Sequence, residues 1–243
     1  MENIIMVEEE RREQNRFWLS MYVAFIITAI IGLIKFTAWS SGNEEMFFEL
    51  GVLPRNISGL KGILFAPLIH GDASHYFGNA IPFFVLSSLI LYFYRQFYFR
   101  ILLIIWILDG VGVWLIGREV YHIGASGVVY GLAFFTFFSG VLKKNRSLLA
   151  VALLVLFLYG SIIWGILPLE NGVSWEAHLI GFMAGTFLAV HYRKSGPQDD
   201  PLPEWMNEEE NMMENKTGDE NISESNSEDR IIINYDFKKN PEE

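Results

Sequence analysis

Residues 72–117 read DASHYFGNAIPFFVLSSLILYFYRQFYFRILLIIWILDGVGVWLIG, and this stretch decides the fold. Two apolar runs flank a short turn carrying Arg95 and Arg100. Each run is close to the ~20 residues that a helix needs to cross a hydrocarbon core of ~30 Å. Apolar side chains fill every face rather than one stripe, as expected of a helix surrounded by lipid and protein instead of water. Within lipid each backbone N–H and C=O must find an internal partner, so runs of this kind have to be helical. The stretch predicts an antiparallel pair of transmembrane helices.

Outward from it the pattern recurs, and six spans are predicted at 17–37, 72–94, 99–117, 126–142, 147–168 and 175–192. The expected fold class is all-α, a polytopic bundle of six transmembrane helices. Of the 243 residues 51% are hydrophobic, and the mean hydropathy is +0.27. The net charge of -10 belongs to the end of the chain, where residues 197–243 carry 15 acidic against 4 basic residues. Three segments are expected: a cytoplasmic N-terminal segment 1–16, a membrane domain 17–194, and an acidic tail 195–243. The tail is too polar to offset its ordering entropy by burial, so disorder is expected there, with a small apolar patch at Ile231–Tyr235. Because the first apolar run is full length and lacks a small-residue cleavage site, it reads as a span and not a signal peptide.

Lys and Arg bias loops toward the cytoplasm. One alternating set of loops and termini holds 10 of them, ending in Arg193 and Lys194, and the opposite set holds 4: Lys35, Arg55, Lys61 and Arg118. Both termini are therefore expected to be cytoplasmic, in a multi-pass protein of a bacterial inner membrane. The long connection from Ala38 to Lys61 mixes apolar and charged residues and is expected to form an amphipathic element at the outer interface.

Ionisable and amide groups are costly at membrane depth, so those inside spans are functional candidates. Basic residues at the cytoplasmic ends serve as a ruler. Asn79 lies 16 residues from Arg95, Ser126 lies 17 from Lys143, and His178 lies 15 from Arg193. At ~1.5 Å per residue these are depths of about 24, 26 and 23 Å, one common level. A serine becomes a competent nucleophile when a neighbouring base takes its proton, which pairs Ser126 with His178. His75 and Asn79 are four residues apart and share a helix face, so both can aim donors at the same place. Together with the Ser126 N–H, unpartnered at a helix start, they could form an oxyanion hole. No third carboxylate is in view, and a two-residue Ser–His device is expected. Gly127 and Gly131 follow the serine, and Gly181 and Gly185 follow the histidine, each pair one turn apart. Small-xxx-small pairs let helix backbones approach closely in lipid.

These residues resemble the rhomboid intramembrane proteases. Gly124-Ala125-Ser126-Gly127 with Tyr130 and Gly131 is similar to the family's nucleophile segment, His70-x4-His75-x3-Asn79 to its second-helix signature, and His178-x2-Gly181-x3-Gly185 to its base helix. The resemblance implies that Ser126 attacks a peptide carbonyl and His178 acts as general base, then acid. It also implies that His75 and Asn79 hold the oxyanion, that Tyr130 packs on the catalytic imidazole, and that His70 is structural. Implied partners are membrane-protein substrates and the lipid bilayer, with no nucleic acid, cofactor or metal and no oligomeric state assigned. Many members carry Trp-Arg in the first long loop, whereas the nearest basic residue here is Arg55, so that loop is expected to dock differently.

Other polar residues are expected to be bystanders. His122 reads as a loop histidine, Glu176 and His191 as interfacial groups, and Asp109 as a helix-packing or pocket-lining carboxyl. A metalloprotease is disfavoured, since no His-Glu-x-x-His is present and His70 and His75 are five apart. The alternative function is a catalytically inactive relative that binds or escorts membrane proteins.

Overall fold

The computed structural model describes residues 2–144, 146–158, 165–168 and 172–196. The acidic tail, with its Ile231–Tyr235 patch, lies outside them. Eight α-helices are present among the described residues: α1 (Glu2–Ser41), α2 (Glu44–Phe48), α3 (Gly62–Phe65), α4 (Ala73–Phe93), α5 (Tyr98–Ile116), α6 (Ser126–Leu142), α7 (Arg146–Leu158) and α8 (Trp175–His191). Extended pairing among these residues is limited to one isolated antiparallel bridge, Val52 with His122. The chain is a polytopic membrane bundle of helices.

Four of the six expected spans, 72–94, 99–117, 126–142 and 175–192, coincide with helices to within a residue at each end. α7 begins as expected, and the second part of its expected span, from residue 159, is described only at 165–168, which are turn and bend. α1 differs at its start. It is one uninterrupted helix of 40 residues, about 60 Å long, with no break at residue 16. Ion pairs of Arg12 with Glu8 and Arg16 with Glu13, one turn apart, support its charged first part. Three helices meet the length and hydropathy of a membrane span outright (residues 6–41, Ala73–Phe93 and Tyr98–Ile116), while α6 at 17 residues is shorter.

Side-chain caps start two helices. Asp72 Oδ1 accepts from the His75 N–H at 2.8 Å at the head of α4, and Ser174 caps α8 through the Ala177 N–H. The buried core runs down the middle of the bundle, with Phe83, Leu86 and Ile90 of α4, Ile101 and Ile105 of α5, and Leu132 and Phe135 of α6. α6 is the central helix, buried along most of its length, and it packs most extensively on α8.

The connection after α1 is built of short helical turns. It holds α2, a 3-10 turn over Ile57–Lys61, α3 and a second 3-10 turn over Ala66–Leu68, and α3 is folded against α5. Gly110 of α5 makes the approach possible, since a Cβ there would meet the Ile63 backbone at 2.8 Å. Trp106 and Trp114 donate their indole N–H groups to the carbonyls of Ile63 and Asn56. Arg55 supplies the docking cation: its guanidinium donates to the Gly117 carbonyl at 2.8 Å and reaches Glu119 at 3.4 Å.

Candidate active site

Ser126 is the first residue of α6. The chain enters it through Gly124, whose φ of +104° is accessible to glycine and strained for other residues. The turn is pinned on both sides. The Gly124 N–H donates to the Ala66 carbonyl at 2.9 Å, and the Ala125 N–H donates to His70 Nε2 at 3.4 Å. His70 is thereby a buried brace under the nucleophile turn. Burial, with the neighbouring His75 adding to it, pushes its pKa down to about 4, so it stays the neutral acceptor this bond requires.

α8 meets α6 through the glycines. A Cβ on Gly181 would collide with the Gly127 carbonyl, and one on Gly185 with the Gly131 carbonyl and the Phe135 amide. The two pairs singled out in the sequence thus face each other across one interface, and backbone lies on backbone there.

His178 is 7% exposed and held on two sides. Its ring stacks on that of Tyr130, with centroids 4.0 Å apart and planes 6° from parallel. Its Nδ1 lies 2.8 Å from the Gly165 carbonyl, which can only accept, so Nδ1 carries the proton and Nε2 offers a lone pair. A carbonyl fills the place that a carboxylate holds in a three-residue device. Nothing in the sequence around Gly165 marks it for this task. Ser126, His178 and His75 line one cavity of about 700 Å³. No hydrogen bond joins Ser126 to His178 among the described residues, a looseness common in unliganded sites.

The expected oxyanion donors sit beside the same turn. A Cβ on Gly124 would lie 2.5 Å from His75 Nε2 and 3.5 Å from Asn79 Nδ2, so both nitrogens approach the residue two before the nucleophile. His75 Nδ1 accepts from the Gly71 N–H at 3.4 Å, which leaves the ring proton on Nε2. Asn79 is 6% exposed, and its Nδ2 is buried without a partner, a donor with unused capacity. It borders a small neighbouring hollow and not the main cavity.

Three of the expected bystanders have definite places. Glu176 is 1% exposed: it accepts from Arg118 Nε at 2.7 Å and Nη2 at 3.2 Å and from the Arg118 backbone N–H at 3.2 Å. His122 is a buried strut. Its Nδ1 lies 2.7 Å from Ser174 Oγ, its Nε2 lies 3.0 Å from the Arg118 carbonyl, and its backbone pairs with Val52. Burial keeps its pKa below the usual histidine value, so these bonds are made by the neutral ring. The Ser174 contact and the Arg118–Glu176 pair tie the loop that leads into Ser126 to the head of the helix that carries His178. Asp109 presses its carboxyl onto Gly127, and its Oδ1 has no partner. It lines a hollow of about 20 Å³. His191 is exposed at the end of α8. Among the described residues no group of three or more His, Cys, Asp or Glu could hold a metal ion.

Known proteins are similar in sequence to this chain. An uncharacterized protein of Mycobacterium tuberculosis (strain H37Rv) is 39% identical over 158 residues, 61% of this chain and 65% of that protein. An uncharacterized protein of Mycobacterium leprae is 34% identical over 149 residues, 57% of this chain and 58% of that protein. The chain thus spans somewhat less than two thirds of the length of these relatives. A protein of Acanthamoeba polyphaga mimivirus, whose printed name describes it as a rhomboid protein, is 29% identical over 177 residues, 70% of this chain and 90% of that protein. Residues 58–195 match the Rhomboid domain, and this segment runs from the 3-10 turn before α3 to just past α8, taking in every residue of the site described above. A match over more than half the chain, set on that geometry, makes this protein an integral membrane protein of the rhomboid family.

Proposed function

We propose that this protein is an intramembrane serine endopeptidase that cleaves other membrane proteins in or near their transmembrane segments. The observation that carries the reading is His178. A buried imidazole stacked on Tyr130 and donating from Nδ1 to Gly165 is prepared to accept a proton at Nε2, and it shares a cavity with Ser126. Ser126 Oγ attacks the peptide carbonyl as His178 Nε2 takes its proton, and the carbonyl oxygen becomes an oxyanion. His75 Nε2–H, Asn79 Nδ2–H and the Ser126 N–H stabilise that charge. His178 then gives its proton to the departing amine. Water, deprotonated by the same nitrogen, releases the acyl group from Ser126 and restores the hydroxyl.

The basic-residue asymmetry supports cytoplasmic termini and a cleavage site on the outer side of a bacterial inner membrane. In this reading residues 17–194 are the catalytic membrane domain and 195–243 an acidic cytoplasmic tail. The inactive alternative draws on one observation, that Ser126 and His178 are not hydrogen-bonded among the described residues.

A fluorophosphonate probe with mass spectrometry of the labelled peptide separates the two. Label on Ser126 that disappears in His178→Ala supports the protease. A folded protein that takes no label, or a Ser126→Ala variant that still cuts a transmembrane substrate like wild type, refutes it.

A further inference from the structure

A neutral His75 ring donates from Nε2 only while Nδ1 is the acceptor, and one contact favours that tautomer: the Gly71 N–H donating to Nδ1 at 3.4 Å. That bond is long, and its donor sits on glycine, the residue least able to hold its own backbone direction. The group that holds Gly71 lies on a different helix. Lys35 of α1 directs Nζ to the Gly71 carbonyl at 2.8 Å and to Glu44 Oε1 at 2.8 Å. Its side chain is only 12% exposed, an unusual setting for an ammonium. Packing of α1 on α4 delivers it there. The Tyr76 hydroxyl of α4 donates to the Thr28 carbonyl of α1, and Gly32 leaves room for the Tyr76 ring.

We propose that Lys35 is a positioning residue for His75: by holding the Gly71 carbonyl it anchors Gly71 beside the ring and limits the rotation that would carry the Gly71 N–H off Nδ1, and so supports the tautomer and aim of the oxyanion histidine. The proposal rests on the reading of His75 as an oxyanion donor. Lys35 itself borders an adjoining hollow with Glu44 and Asp72 and is absent from the lining of the Ser126 cavity, so it acts through His75 and not on substrate. An interaction of this kind is felt in the transition state. Its loss lowers kcat and leaves KM nearly unchanged.

The test is a double-mutant cycle on the full-length protein in detergent, with a transmembrane substrate and a thermal melt for each variant. Lys35→Met is expected to lower kcat about 10-fold with KM within about 2-fold, and His75→Ala to lower it about 100-fold. The double variant is expected to match His75→Ala within about 2-fold, because the pathway is already cut. Wild-type kcat in Lys35→Met, or the same 10-fold loss in both backgrounds, overturns the proposal. Should Lys35→Met give no cooperative melt, Lys35→Gln, uncharged and one atom shorter, weakens the hold on the Gly71 carbonyl and runs the same cycle. A kcat loss of about 3-fold with wild-type His75 and none in His75→Ala supports the proposal, and an equal effect in both, or no effect in either, overturns it. If Ser126→Ala abolishes cleavage while His75→Ala is silent, the protease reading stands and the positioning proposal falls. If Ser126→Ala cuts normally, the protease reading itself is wrong.

Discussion

Replacing Gly181 by alanine adds one methyl group at the closest approach of α6 and α8. The added Cβ would overlap the Gly127 carbonyl and stand 3.1 Å from the Gly131 amide nitrogen. Both neighbours are backbone inside a packed helix and cannot swing aside, so the helices must separate. Relief of the overlap needs a shift of about 1 Å, and overpacking of this sort destabilises by about 1–3 kcal/mol. The shift falls one residue after Ser126 on one helix and three after His178 on the other. A misplacement of about 1 Å between reacting groups costs about 100-fold in rate, equivalent to about 2.7 kcal/mol of transition-state stabilisation. The assay is kcat for a transmembrane substrate, paired with a thermal melt. Gly78→Ala is the control, for its Cβ would meet nothing within 4 Å, and alanine is the better helix former by about 1 kcal/mol. Gly181→Ala retaining more than about a third of wild-type kcat would falsify the claim that backbone contact between α6 and α8 sets the Ser126–His178 geometry.

Removing Arg118 strands the buried Glu176 carboxylate, and Arg118→Met is expected to destabilise by about 3 kcal/mol, with Arg118→Met/Glu176→Leu recovering most of it; equal melts for wild type and Arg118→Met would count against the strut. Tyr130→Phe keeps the ring on His178 and should leave kcat within about 2-fold, whereas Tyr130→Ala loses the stack, worth about 1 kcal/mol, and should lower kcat about 5- to 10-fold. The folded protein keeps His70 neutral down to about pH 4, while the unfolded chain protonates it from about 6.5. The unfolded state therefore binds more protons in that window, and about 3 kcal/mol of stability is lost as pH falls from 6.5 to 4. Melts of wild type and His70→Gln across this range should diverge, and parallel curves would refute the assignment.

The candidate site residues were legible along the chain, because membrane depth makes polar groups conspicuous. Ser126, His178, His75 and Asn79 stand out against apolar runs, and a constant rise per residue converts spacing into depth. What orients them was not legible. The proton acceptor for His178 is a backbone carbonyl at Gly165, and every residue carries one. Glu176 stands two residues from His178, and helix geometry alone turns it away from the imidazole, but its partner Arg118 lies 58 positions earlier. His122 looked like a loop residue for the same reason: its bonds to Ser174 and Val52 join segments distant in sequence.

The amino-acid sequence by itself determined the helices and their hydrophobic lengths, since lipid forces every backbone polar group in a span to pair locally. It also determined the candidate nucleophile and base, through their shared depth and the glycines that follow them. Only the tertiary structure decided that those glycines face one another, that Gly165 selects the His178 tautomer, and that Arg55 docks the first long loop onto Gly117. The division is physical. Helix formation and insertion depend on interactions within a few residues, whereas proton placement and helix separation depend on contacts between segments that only folding brings together.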